Sequence, residues 1–205
     1  MLKLKKIAIT GGVASGKTSV CQFFQELGAS VVNADRIVHE LLKIDTELGQ
    51  QVIRLLGPQI EENGQISRQK IADLVFKDPK RLQALEQLLH PVVSEKIQKM
   101  YEEASQAGKY TFFVVEIPLL FEVQAELFYD VVVAVLTDEK IARHRFEQIG
   151  FQKQEYDRRM RRQISPHQKS ARADYTLHNN GSLDDLKRQV ISLNHILQNN
   201  GASLP

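Results

Sequence analysis

Five short apolar runs alternate along the chain with segments of helical periodicity. The runs are KKIAIT (5–10), ASVVNAD (29–35), TFFVVEI (111–117), DVVVAVL (130–136) and the weaker ADYTL (173–177). Strands that are apolar on both faces are typical of a parallel sheet covered by helices. Because such strands alternate here with helical segments, the pattern predicts an α/β fold with crossover helices.

The helical segments include one between the first two strands and one at the end of the chain. TSVCQFFQEL (18–27) spaces its apolar residues as a helix does, and Gly28 predicts its end. Near the end of the chain, Ser182 and Asp185 have the spacing of a capping box, which predicts the start of a closing helix. The Asn-Asn-Gly run at 199–201 predicts its stop.

A long insertion separates the second strand from the third. It contains about 75 residues with helical patterns, which is too long for a simple crossover. Asp78 and Pro79 predict the cap and first turn of one helix, and Gly108 predicts a helix end. We therefore expect a single domain over 1–205 with a helical part at 36–107, which is a candidate for holding a substrate.

Composition narrows the classes of protein. The longest apolar run, FFVVEIPLLF, contains Glu116 and is shorter than the roughly 20 residues of a membrane span. The N-terminal residues lack a signal-peptide pattern, and a single cysteine, Cys21, suits a reducing compartment. We expect a cytoplasmic protein in which Cys21 is a core residue.

Charge is unevenly distributed, although the net charge is only +2. Between Lys140 and Arg172 there are ten basic residues against three acidic ones. A solvated helix face, a patch for polyphosphate and a patch for nucleic acid all fit such a run. The net charge is too small to argue for a nucleic-acid partner.

The strongest chemical signal lies between the first strand and the first helix. Gly11, Gly16, Lys17 and Thr18 satisfy the pattern G-x-x-x-x-G-K-[ST]. Glycines in such a loop let backbone N–H groups surround phosphate oxygens, and the helix N-terminus adds positive potential. Lys17 can reach the β- and γ-phosphates, while the Thr18 hydroxyl can bind Mg²⁺. The pattern predicts a nucleoside triphosphate site, and the absence of an Asn-Lys-x-Asp run disfavours a GTPase switch.

Acidic residues follow two predicted strands at the edge where ligands bind in such sheets. Asp35 is a candidate base for an acceptor hydroxyl, although it is also a candidate cap for a helix that begins near Arg36. Glu116 is a candidate for holding Mg²⁺ through water. Glu122 fits either a functional role or an exposed acid at a helix start. His90 precedes Pro91, where a histidine more often ends a helix than contacts a substrate.

These residues together resemble the dephospho-CoA kinases, over about residues 7–190. The matching motifs, in chain order, are TGGVASGKT (10–18), Asn33-Ala34-Asp35, His90-Pro91, PLLFE (118–122), Arg159-Met160 with Gln163, Ala173-Asp174-Tyr175 and Asn179-Asn180-Gly181. The P-loop alone is shared by many families, whereas this combination is specific.

The resemblance implies a three-layer α/β/α P-loop NTPase fold with a five-stranded parallel sheet, a helical CoA-binding insertion and a helical lid at about 139–172. It implies transfer of the ATP γ-phosphoryl group to the ribose 3′-hydroxyl of dephospho-CoA, with Mg²⁺ as cofactor, in a monomer or weak homo-oligomer without nucleic-acid or membrane partners. The implied ATP-binding residues are Gly12, Val13, Ala14, Ser15, Gly16, Lys17, Thr18 and Ser19. The implied catalytic residues are Asp35, Lys17 and Arg145, those contacting the acceptor are Asp35, His90, Pro118 and Leu119, and those holding the metal are Thr18 and Glu116.

Two positions depart from the family pattern. Asn33 stands where the family commonly has an acid, and Ile149 stands where a second lid arginine follows Arg145. Arg143 and Arg159 are the candidate substitutes for that arginine. Two other functions remain as alternatives: a kinase for another small acceptor, such as a nucleoside or nucleotide, and a nucleotide-binding regulatory module without turnover.

Overall fold

The computed structural model describes residues 4–75 and 77–199. The strands are β1 (Lys6–Gly11), β2 (Ser30–Asn33), β3 (Glu61–Glu62), β4 (Gln65–Ile66), β5 (Phe113–Glu116), β6 (Val131–Leu136) and β7 (Tyr175–His178). The α-helices are α1 (Lys17–Glu26), α2 (Ala34–Leu41), α3 (Glu47–Leu56), α4 (Arg68–Val75), α5 (Pro79–Ala107), α6 (Glu139–Gln148), α7 (Lys153–Met160), α8 (Pro166–Arg172) and α9 (Leu183–Asn199). None of the described helices is long and apolar enough to cross a membrane.

Five strands form one parallel sheet in the order β2-β5-β1-β6-β7. All five coincide with the apolar runs of the sequence, so the predicted parallel sheet is confirmed. β1 is the central strand, and its residues from Ile7 to Gly11 are buried. The central position of β1 places the loop that follows it at the carboxyl edge of the sheet, where ligands bind in such folds.

Helices cover both faces of this sheet. On one face, α1 and α9 contact each other and share a core with alternate residues of β1 and β6, including Ile7, Ile9, Val133 and Val135. Val132 and Ala134 alternate with these residues and are buried on the opposite face, and α8 contacts β6. Cys21 is buried in the first core, as predicted, and burial raises the pKa of its thiol.

The capping predictions for the first and last helices hold. α1 ends at Glu26, and Gly28 has φ +88°. Before α9, the Asp185 amide donates to Ser182 Oγ at 3.1 Å, and the Ser182 amide donates to Asp185 Oδ2 at 3.0 Å. The predicted stop at 199–201 extends beyond the described residues.

The chain divides into two compact units, one up to Asn33 and from Glu103 onward, the other Ala34–Glu102. The second unit has its own core, formed by Leu42, Val52, Leu56, Ile60, Ile71, Val75 and Leu85. It also contains the two-stranded antiparallel hairpin of β3 and β4, which the helical patterns did not predict.

Two details of the second unit correct the sequence analysis. The helix that begins at Pro79, with Asp78 Oδ1 accepting from the Lys80 amide at 3.0 Å, continues through Pro91 to Ala107. His90 therefore lies inside α5 and does not end a helix. A proline removes one backbone donor, and the neighbouring turns keep the helix intact despite that loss. Asp35 lies in the first turn of α2, which begins at Ala34, so it is not the cap residue.

Candidate active site

The loop between β1 and α1 requires glycine at both ends. Gly11 has φ +148° and Gly16 has φ +96°, which are conformations that other residues rarely adopt. A Cβ atom on Gly11 would lie 2.4 Å from the Val135 carbonyl oxygen, and one on Gly16 would lie 2.2 Å from Asn179 Nδ2. Because both contacts are too short, the two glycines of the motif are fixed by the surrounding structure.

Lys17 begins α1 and lies within the loop that it follows. Its side chain is largely buried, and Nζ donates hydrogen bonds to the carbonyl oxygens of Gly12 at 2.7 Å and Gly11 at 3.3 Å. These bonds hold the ammonium group among the loop carbonyls. A buried positive charge in this position is suited to binding a phosphate group.

Thr18 and Glu116 join the start of α1 to the end of β5. Thr18 Oγ1 lies 3.2 Å from Glu116 Oε1 and 3.3 Å from Oε2, and Glu116 is buried. A hydroxyl and a carboxylate are the hard oxygen ligands that Mg²⁺ prefers. Mg²⁺ commonly binds through one or two such groups together with water and substrate phosphates. The pair therefore fits this cation, although residues 4–75 and 77–199 contain no cluster of three or more His, Cys, Asp or Glu able to hold a metal.

Asn33, at the end of β2, contacts the same carboxylate. Its Nδ2 donates to Glu116 Oε2 at 2.9 Å. An aspartate at this position, as is common in the family resembled, would instead place a second carboxylate beside Glu116. The amide thus orients Glu116 without adding negative charge.

A cavity of about 320 Å³ adjoins the loop. Its lining consists of Ala14, Ser15, Gly16, Lys17, Thr18, Glu116, Arg145 and Ile149. Arg145 lies in the last turn of α6, and its Nη1 donates to the Asn179 carbonyl oxygen at 3.0 Å. The structure thus brings residues 14–18 of the predicted loop together with Glu116 and Arg145, whereas Gly12, Val13 and Ser19 do not line the cavity.

Ile149, where a second lid arginine was expected, also lines this cavity and is 68% exposed. The two candidate substitutes make other contacts. Arg143 pairs with Asp157 at 2.5 Å and lowers the pKa of that carboxyl group, and Arg159 pairs with Glu155 at 2.6 Å. Both arginines are therefore engaged within the predicted lid region, and neither lines the cavity.

The predicted lid region contacts the phosphate loop through an apolar cluster. Val13 of the loop is buried with Ala142 and Phe146 of α6 and Tyr156 of α7. Phe146 and Tyr156 meet edge to face, with ring centroids 5.6 Å apart. The loop thus packs directly against these two helices.

Two residues that sequence reasoning did not assign to the site hold the loop from its other side. Asn179, after β7, donates through Nδ2 to the Ser15 carbonyl oxygen at 2.8 Å, and Thr137 Oγ1 donates to the same oxygen at 3.0 Å. Asn179 belongs to the quoted Asn-x-Gly motif, so that motif was the available signal. Thr137 directly follows β6, and only this position could have indicated it.

The remaining predicted site residues fall into two groups. Pro118 and Leu119 follow β5 in the first unit, and the Pro118 carbonyl oxygen accepts from Thr10 Oγ1 at 3.3 Å. Asp35 on α2 and His90 on α5 belong to the second unit. The Glu122 side chain is only 15% exposed, so the interpretation as an exposed acid is wrong.

The fold and the cavity define the class of protein. A parallel sheet whose central strand leads through a glycine loop into a helix that opens with Lys17 and Thr18 is the fold of the P-loop NTPases. Comparison with known proteins then gives the family: the family model for dephospho-CoA kinase matches residues 5–185. The chain belongs to the dephospho-CoA kinase family.

Individual relatives agree with this membership. The chain is 43% identical to the dephospho-CoA kinase of Protochlamydia amoebophila over 94% of its own length and 96% of the relative. It is similar to a crystal structure from Thermus thermophilus with a TM-score of 0.82 and 29% identity, covering 95% of this chain and 98% of that one. A dephospho-CoA kinase structure from Campylobacter jejuni, at 22% identity and a TM-score of 0.68 over 95% and 98% of the two chains, shares the fold.

These comparisons confirm the family, the three-layer α/β/α fold and the assignment to the dephospho-CoA kinases that the motifs predicted. The roles of individual residues remain predictions.

Proposed function

We propose that this protein transfers the γ-phosphoryl group of ATP to the ribose 3′-hydroxyl of dephospho-CoA, giving CoA and ADP in the last step of CoA synthesis. The observation that carries the proposal is the cavity beside the phosphate loop in a chain of this family. Its lining includes Lys17, Thr18, Glu116 and Arg145. Positive charge and hard oxygen ligands around one loop suit a magnesium-bound triphosphate.

ATP binding is assigned to residues 12–19. Their backbone N–H groups and the N-terminus of α1 bind phosphate oxygens, and Lys17 turns from the loop carbonyls to the β- and γ-phosphates. Thr18 and Glu116 would hold Mg²⁺, Thr18 directly and Glu116 directly or through water. Bound there with ATP, the ion would neutralise charge that develops on the phosphates.

The acceptor is assigned to Asp35, His90, Pro118 and Leu119, and the CoA portion to the helical part at 36–107. Asp35 takes the proton of the 3′-hydroxyl while the hydroxyl oxygen forms its bond to the γ-phosphorus. The bond between that phosphorus and the bridging oxygen of ADP breaks in the same displacement. Arg145, in the lid region at 139–172, stabilises negative charge on the transferred group.

Several wider properties belong to the same proposal. The single cysteine favours a reducing, cytoplasmic compartment. The resemblance to the family implies an enzyme that works as a monomer or weak homo-oligomer, without nucleic-acid or membrane partners. The alternatives are a kinase for another small acceptor and a nucleotide-binding module without turnover.

A coupled assay of ADP release separates these functions. The protein is incubated with ATP and Mg²⁺ alone, with dephospho-CoA, and with adenosine as a nucleoside acceptor. We expect ADP to form in step with CoA only when dephospho-CoA is present, and phosphorus NMR should locate the new phosphate at the 3′ position. ADP formation with adenosine but not with dephospho-CoA would support a kinase for another small acceptor. If neither acceptor leads to ADP, the result would support a nucleotide-binding module without turnover.

A further inference from the structure

One fully buried lysine lies outside the cavity described above. Lys169, on α8, is 0% exposed. Its Nζ donates to the Pro118 carbonyl oxygen, lies 3.2 Å from Gln163 Oε1, and pairs with Glu122 Oε1 at 3.0 Å. Together with Ile164, whose amide donates to Glu122 Oε1 at 3.0 Å, these residues form the buried lysine cluster.

Burial of a charged lysine is unfavourable in free energy, so the burial of Lys169 requires an explanation. Removal from water disfavours the charged form, and burial lowers the pKa of Lys169 despite the opposing effect of Glu122. An apolar residue of similar volume commonly replaces a buried ion pair without loss of stability. Packing alone therefore does not explain the charge at this position.

The cluster joins two segments that are far apart in the sequence. One is Pro118–Glu122, the turn after β5 that carries the proposed acceptor contacts. The other is Gln163–Lys169, where the predicted lid region ends. This second segment also reaches the phosphate loop, since a methyl group added to Gly12 would come within 3.0 Å of Pro166 Cγ.

A second connection to the chain that follows β5 lies further along α8, beyond Lys169. Arg172 pairs with Glu126 and lies over the ring of Phe121, with its guanidinium carbon 4.3 Å from the ring centroid. The exposed face of α8 is thus attached to the turn after β5 by an ordinary surface ion pair. Lys169 differs from Arg172 in donating directly to a backbone carbonyl, that of Pro118.

We propose that Lys169 is a positioning residue for the acceptor: it fixes the Pro118 carbonyl and ties the turn after β5 to the end of the lid region. The inference rests on the proposed function, because it assumes that Pro118 and Leu119 contact dephospho-CoA. No partner of Lys169 in the buried lysine cluster lines the cavity beside the phosphate loop. Loss of the ammonium group should therefore affect the acceptor far more than ATP.

The test compares Lys169→Met with the wild-type protein and with Lys187→Met. Methionine keeps the length of the side chain and removes the charge and the hydrogen bonds. Lys187 is a matched control because it forms an exposed ion pair with Glu26 in the same unit. We expect Lys169→Met to lower kcat/KM for dephospho-CoA by about 10- to 100-fold, mainly through KM, while the Kd for ATP measured by calorimetry changes by less than about threefold.

A double variant separates positioning from folding. Adding Glu122→Gln to Lys169→Met removes the unpaired buried carboxylate, so thermal stability should recover towards the wild-type value. The raised KM for dephospho-CoA should persist, since the Pro118 carbonyl still lacks the hydrogen bond from Lys169 and keeps only the 3.3 Å bond from Thr10 Oγ1. Recovery of KM together with stability would overturn the proposal, as would equal losses for ATP and dephospho-CoA or unchanged kinetics in Lys169→Met.

The proposed function fails in a different way. Wild-type protein that neither binds dephospho-CoA in calorimetry nor releases ADP with it would reject the function and, with it, this inference. Active wild-type protein with an unaffected Lys169→Met variant would reject the inference alone.

Discussion

The phosphate loop and the buried lysine cluster both place a lysine among carbonyl oxygens, yet they are built differently. Lys17 bonds to carbonyls five and six residues before it, within one strand-loop-helix unit. Lys169 bonds to a carbonyl 51 residues away, and its ion-pair partner Glu122 lies on the same distant segment. The first arrangement follows from a local spacing of residues, whereas the second exists only once the sheet has brought two segments together.

The two constructions differ in how easily a site can be recognised from the sequence. A phosphate site made of backbone and helix terminus leaves a fixed motif, because glycines and a lysine must stand at set intervals. A side chain that positions a distant turn leaves no interval to recognise. If this contrast between local and long-range construction extends to activity, substitutions at locally built positions should have the larger effects.

The largest effect is expected at Asp35, which lies outside both sites but was also predicted from a local signal, its place just after β2. Asp35→Asn removes the proposed base and nearly keeps the shape of the side chain, so turnover should fall by about 10²- to 10⁴-fold. Asp35 lies in the first turn of α2, where an acid interacts favourably with the helix dipole, so the unfolding free energy should fall by less than about 1 kcal/mol. ADP release and thermal melting measure the two effects. A fully active Asp35→Asn protein would mean that the acceptor loses its proton by another route.

Lys17→Ala should follow, with turnover reduced by about 10²-fold or more. The change removes the positive charge from the β- and γ-phosphates in a buried site, where such charge stabilises the transition state. Single-turnover and steady-state ADP release give the loss, and Lys187→Ala serves as the control for a surface lysine. Near-normal turnover in Lys17→Ala would remove this residue from the mechanism.

The fold followed from the sequence where the pattern was local and repeated. Each of the five apolar runs became a strand of the parallel sheet, and glycine and capping signals marked the ends of α1, α5 and the start of α9. The hairpin of β3 and β4 was missed because two-residue strands show no periodicity. Asn63 and Gly64, both with positive φ, were its available signal.

The site, like the fold, was predictable from the sequence where its residues form local patterns, and not where they depend on contacts between distant segments. The loop was predicted from its motif, Glu116 from its place at the end of a strand, and Arg145 from the resemblance to the family. The structure places residues 14–18 of the loop, Glu116 and Arg145 around one cavity. Glu122 was left undecided, since nothing near it in the sequence indicates that Lys169 buries it. The continuation of α5 through Pro91 was also missed, because the helix rule for proline describes a local cost that the rest of the helix outweighs.

Arg145→Ala should have a smaller effect than Lys17→Ala, about tenfold in kcat/KM for ATP. Arg145 lines the cavity at the end of α6, and its bond to the Asn179 carbonyl makes it part of the support of the loop. Thermal stability should change little, which separates a charge effect from unfolding. Unchanged kinetics would mean that Arg145 has no role in catalysis and belongs to a solvated basic helix face.

Ile149→Arg complements Arg145→Ala, because it adds an arginine at the rim of the cavity that Arg145 lines. Ile149 is exposed at the rim of the same cavity, so a guanidinium there has room to approach the triphosphate. We expect kcat/KM for ATP to rise by a few-fold, with a steeper dependence on salt. A fall in kcat/KM would show that the apolar side chain itself is needed at the rim.

The smallest effect is expected for the buried lysine cluster, as a change in the free energy of unfolding at alkaline pH. Burial lowers the pKa of Lys169 below its ordinary value of 10.5. Between the lowered pKa and 10.5, the unfolded chain binds more protons than the folded one, so Lys169 makes the unfolding free energy rise with pH across that window. Below the window both states carry the proton and this contribution is constant. Burial raises the pKa values of Tyr129 and Tyr156, which makes the unfolding free energy of the whole protein fall above about pH 10.

Subtracting the unfolding free energy of Lys169→Met from that of the wild-type protein removes the tyrosine contribution, since both proteins share it. Urea unfolding between about pH 8 and pH 10 should give a difference that moves in favour of the wild type as pH rises. A difference that moves the other way would mean that Glu122 stabilises the ammonium group by more than burial disfavours it. In that case the ion pair between Lys169 and Glu122 would stabilise the fold. The buried lysine cluster would then differ from the phosphate loop only in how far apart its residues lie in the sequence.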